Sequence, residues 1–90
     1  MGYDYKEIRP RVFLEENQWA FLQLRNTVIR AMNQTGVVRL ENLMVGDSWL
    51  CMAFFDRMVE LEEIREIKQD GITGQDRIFV PGIRFPTRLS

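Results

Sequence analysis

The chain has 90 residues, a 46% apolar share, 11% aromatic residues and a net charge of −1. That is enough apolar material for one domain with its own core, and too much for a disordered segment. The slightly acidic balance is not that of a small dedicated DNA binder, which uses excess Lys and Arg to neutralise phosphate.

No run approaches the roughly 20 apolar residues of a membrane span. The opening residues, MGYDYK, lack the charged-then-apolar plan of a signal peptide. A lone Cys51 leaves no internal disulfide and fits a reducing compartment. A soluble, cytoplasmic protein without membrane contact is expected. There is no His, P-loop, dinucleotide fingerprint or zinc-ligand spacing, so the expectation is a non-enzyme without cofactor or metal. Without a His base, Cys51 reads as a small buried hydrophobe.

In chain order, residues 1–14 read as an extended arm or short edge strand. Pro10 pushes Arg9 towards extended backbone, and Tyr3, Tyr5 and Phe13 are expected to lie across the body or across a second subunit. A first predicted helix runs from Glu15 to Asn33. Glu15 and Glu16 suit its positive N-terminal dipole end, and Phe21, Leu24, Val28 and Met32 form its buried stripe, widened by Leu22 and Ile29. Arg25 and Arg30 fall mostly on the other side. Gly36 is placed for a left-handed helix end. Val37–Leu40 is a short β-prone step, and Glu41–Val45 a brief second helix broken by Gly46.

Asp47 and Ser48 then cap a third predicted helix. Leu50, Phe54, Met58 and Leu61 form one apolar line, the natural core face. Trp49, Met52, Phe55 and Val59 form a second line around the same helix. That second line is either core beneath the arm or tail, or a partner or dimer surface with Trp and Phe anchors. The acidic group Glu60, Glu62, Glu63 and Glu66 reads as a solvated helix face. Strands are expected at Arg65–Lys68 and Arg77–Val80, around a loop whose Gly71 and Gly74 permit positive φ. Pro81-Gly82 ends the second strand. Residues 81–90 read as an extended tail with Arg84 and Arg88 around Phe85.

The stretches Gly36–Leu43, GVVRLENL, and Phe54–Ile67, FFDRMVELEEIREI, resemble the winged helix-turn-helix family. The shared order over residues 16–80 is helix, short strand, short helix, long helix and two-stranded wing. The resemblance implies an α+β domain at residues 15–80, with three helices and a C-terminal two-stranded wing. It also implies a DNA-binding, transcription-regulating role, with the third helix in the major groove and the wing on phosphate. Carried over by position, Ser48 and Arg57 would face the groove. Two departures stand out: the family usually has Gly near the end of the third helix, where this chain has Glu62-Glu63, and the segment from Leu43 to Phe54 is about one turn short.

Charge shifts these expectations. Residues 37–64 hold two basic groups against six acidic ones, whereas residues 65–90 hold five basic against three. DNA contact is therefore expected mainly through Lys68 and Arg77 in the wing and Arg84 and Arg88 in the tail, as phosphate contacts by a homodimer. The alternative is a protein-protein interaction module, an adaptor or inhibitor, that uses the Trp49/Met52/Phe55/Val59 flank without binding DNA.

Overall fold

The structure is a computed structural model that describes residues 2–43, 47–67 and 77–86. Among these, three α-helices and a three-stranded antiparallel sheet form a small α+β domain. Helix α1 spans Tyr5–Val12, α2 Glu15–Thr35 and α3 Ser48–Glu60. Strand β1 is Val38–Arg39, β2 Ile64–Ile67 and β3 Ile78–Pro81, and a single 3-10 turn covers Leu40–Asn42.

The first finding corrects the extended arm: residues 5–12 are helical. Asp4 is the N-cap and accepts from the Lys6 backbone N–H, while Glu7 lies in the first turn. The sequence Asp4-x-x-Glu7 thus follows a capping-box spacing. Pro10 lacks one donor inside this short helix. That loss is outweighed because Ile8 and Val12, one turn apart, are buried against Ala53 and Phe54 of α3. Burial here overrides the extended bias of the residue before proline.

Helix α2 ends as its sequence requires. Gly36 adopts φ 77° and its N–H donates to the Met32 carbonyl. Val28, Ile29 and Met32 are buried, with Phe21 and Leu24 packed at the margin, while Leu22 is exposed. Arg25 turns towards the body and clasps Glu63 through two hydrogen bonds of 2.9 and 2.6 Å. Arg30 stays outside.

Asp47 caps α3 by accepting from the Trp49 and Leu50 N–H groups. The helix is buried nearly all round. Cys51, Met52, Ala53, Phe54, Phe55 and Met58 are inside, under α1 on one flank and among α2 and sheet residues on the others. Glu62 ends the turn after α3 with φ 63°, so a non-glycine residue supplies the left-handed corner where a Gly is usual. The exit is sharp, because β2 begins two residues later.

The sheet order is β1-β3-β2. Phe79 of β3 sits opposite Val38 on one side and Glu66 on the other, and its ring lies 4.9 Å from that of Phe55. Pro81 pairs with Ile64 as the last residue of β3, where its missing donor costs least. Gly82 follows because a Cβ there would lie 2.4 Å from the Glu62 carbonyl oxygen. Its N–H donates to Glu63, and Arg84 donates its own N–H to Glu62, folding the tail back on the α3–β2 corner. No helix is long and apolar enough to cross a membrane among the described residues.

Candidate functional site

The residues singled out from sequence are not assembled into one exposed face. Lys68 and Arg88 lie outside the described residues, as do residues 44–46 at the end of the expected second helix. Ser48 is half-buried in the first turn of α3. Met52 and Phe55 belong to the main core cluster with Met58, Leu40 and Phe79, and Val59 packs at its edge. Of the expected partner flank, only Trp49 is substantially open, at 38%. The physical reason is that the sheet and α2 close over the second apolar line while α1 closes over the first.

Arg77 is the most tightly held cation. Its guanidinium pairs with both Asp56 and Glu66, through bonds of 3.0 and 2.8 Å to the latter. It also lies 5.1 Å from the Phe79 ring centroid. Its side chain is 13% exposed. Burial alone would lower its pKa, but the two carboxylates outweigh that and hold it above its usual value. Tyr3 completes the cluster by donating its hydroxyl to Asp56 at 2.7 Å. Burial, then that hydrogen bond and the neighbouring negative charge, raises the Tyr3 pKa. The two carboxylates take four of the guanidinium's N–H donors, so the cation's charge and most of its hydrogen-bonding capacity are used within the chain.

A second cluster sews α1 to the C-terminal half of α3. Glu60 accepts from Tyr5 at 2.6 Å, from Arg9 at 3.0 Å and from Arg57 at 3.1 Å. The Tyr5 hydrogen bond and the two guanidinium groups together hold the Glu60 carboxyl below its ordinary value. Phe13 lies between Arg9 and Arg57, each guanidinium carbon 4.8 Å from the ring centroid. Arg57 is thereby engaged within the molecule. At the other end of the seam, Arg11 donates to Asp47 at 2.6 Å. That bond, with the backbone N–H of Leu50, lowers the Asp47 pKa.

The acidic run is therefore not one solvated face. Glu60, Glu63 and Glu66 each meet an arginine from a distant part of the chain. Among the predicted cations that the structure describes, Arg84 alone projects freely: its side chain is 77% exposed and 3.5 Å from Glu62.

Sequence reading passed over the surface that the fold leaves open. Between α2 and α3 runs an apolar groove of about 360 Å³ lined by Trp19, Gln23, Leu24, Thr27, Leu43 and Phe54 among others. Trp19 is 72% exposed at its edge. The signal was available: Trp19 falls outside the Phe21/Leu24/Val28/Met32 stripe. A large aromatic side chain standing in the open beside an apolar groove is characteristic of a contact surface.

No family model matches the chain, and neither a curated protein nor a solved structure is similar enough to count as a match.

Proposed function

We propose that this chain is a module of winged-helix type that binds protein and does not grip DNA. From α2 onward the order helix, short strand, 3-10 turn, helix and antiparallel strand pair supports the resemblance drawn from sequence, with the turn in place of a short second helix, α1 added in front and β1 joined to the pair in one sheet. The observation that carries the functional reading is the cladding of α3. A helix that reads DNA needs an outward face with donors on it. Here α1 lies over α3, six of the 13 helix residues are buried, and Arg57 is spent on Phe13 and Glu60. Arg77 is likewise closed off by Asp56 and Glu66. Open apolar surface lies instead at the groove beside α2, at Trp49 and at scattered residues such as Val37 and Ile83.

A mobility-shift titration of random duplex at low and moderate salt tests this. The expected result is no salt-dependent shift at micromolar protein. Retardation that weakens with salt, and weakens further in Arg84→Ala or Lys68→Ala, would restore the DNA reading with wing and tail as its phosphate contacts.

A further inference from the structure

The flank of α3 expected to hold a dimer together is mostly core, but α2 offers another surface. Glu16, Trp19, Gln23, Thr27 and Arg30 follow one another at three- and four-residue steps and are all exposed. They therefore stack along one side of α2, away from buried Val28 and Met32. Acid stands at one end of this stripe and base at the other. Neither Glu16 nor Arg30 has an ion-pair partner among the described residues.

The stripe is symmetric in a specific way. Glu16 and Arg30 lie seven residues on either side of Gln23, and Trp19 and Thr27 lie four on either side. Two such helices crossing antiparallel at Gln23 set each Glu16 against Arg30 of the second copy. The same crossing sets each Trp19 against Thr27 of the second copy, and Thr27 lines the groove. A parallel crossing would instead oppose like charges. Both contacts form twice, as an isologous two-fold interface demands.

We propose that the outward face of α2 is a self-association surface, on which two copies of this chain pair antiparallel about Gln23 with each Trp19 entering the other's groove. This rests on the reading of the chain as a protein-binding module and names its partner as a second copy. The groove of about 360 Å³ is roomy enough for an indole ring, and its walls of Leu24, Leu43 and Phe54 match that ring's apolar body. The contact is small, so a dimer in the micromolar range is expected.

Sedimentation equilibrium on the full chain over a concentration series tests it. The wild type should show a monomer–dimer equilibrium. Glu16→Arg and Arg30→Glu should each weaken the dimer by about tenfold, since two-fold symmetry doubles every change. The two combined should return it to within about threefold of wild type, because the charges are then simply exchanged. Trp19→Ala should weaken it by at least about tenfold while the circular dichroism spectrum stays native. A wild type that remains monomeric throughout, a dimer indifferent to the single charge reversals, or a double variant no better than the singles would overturn the proposal. None of those results bears on the duplex titration, so the two readings fail separately.

Discussion

Helices α2 and α3 do opposite jobs although both are amphipathic in part. Helix α2 has 21 residues and buries three of them, whereas α3 has 13 and buries six. The difference lies in how apolar residues are arranged around each axis. In α2 they occupy one side, which leaves Glu16, Trp19, Gln23, Thr27 and Arg30 facing out. In α3, Cys51 to Phe55 are apolar at five successive positions, so no side of this middle stretch is polar and it is stable only when enclosed. Helix α1 supplies the enclosure on the flank that α2 and the sheet leave bare. Position in a resembling pattern is thus a poor guide to which helix is left open.

Removing side chains from the inner helix should cost most. Phe55→Ala is expected to lower stability by about 4 kcal/mol, the scale of deleting a fully buried aromatic side chain. A denaturant titration checks this. Arg77→Ala comes next, at about 3 kcal/mol, because it leaves Asp56 and Glu66 half-enclosed without their cation. If the same titration showed Arg77→Ala to be neutral, Arg77 would be a surface cation and would regain its place as a phosphate contact.

How much of this was legible in the sequence differs between the two helices. The α2 stripe, its Gly36 end and the strand pair followed from period and turn chemistry. The inward fate of the Met52/Phe55 line did not, because it depends on α2 and the sheet closing over it with residues as far apart in the chain as Val28 and Phe79. The cover that α1 lays over Ala53 and Phe54 was masked by Pro10, although Asp4-x-x-Glu7 and the Ile8/Val12 spacing signalled a helix. The ion pairs of Arg77 are hidden in the sequence for a related reason. Its partners, 21 and 11 residues distant, become neighbours only once β3 pairs with β2 and the sheet packs on α3.

The α1–α3 seam predicts a smaller, pH-dependent effect. Both Glu60 and Asp47 have carboxyl pKa values lowered in the folded chain. Their contribution is therefore complete above the ordinary values of 4.5 and 3.8 and is lost as pH falls through the lowered ones. Glu60→Gln should reduce thermal stability at neutral pH and flatten the acid limb of a melting-temperature profile. On the alkaline side the sign reverses. Burial and the Glu60 hydrogen bond push Tyr5 up to about 12, so its proton is kept in the folded state and stability falls as pH rises past 10.0. Phenolate absorbance should show Tyr5 titrating late.

Glu62→Gly should stabilise the chain by about 0.5–1 kcal/mol, since glycine takes φ 63° without a Cβ penalty. The smallest effect belongs to the outer helix. Trp19→Ala should leave the stability of the monomer within about 0.5 kcal/mol of wild type, despite removing the largest side chain on α2.

Amide hydrogen exchange, at concentrations where the chain is monomeric, sets the two helices side by side in one experiment. The amides of Cys51–Met58 in α3 should exchange only through global unfolding, and those of Trp19–Gln23 in α2 faster, through local opening. Exchange from α3 as fast as from the first half of α2 would contradict its place as the enclosed helix of the fold.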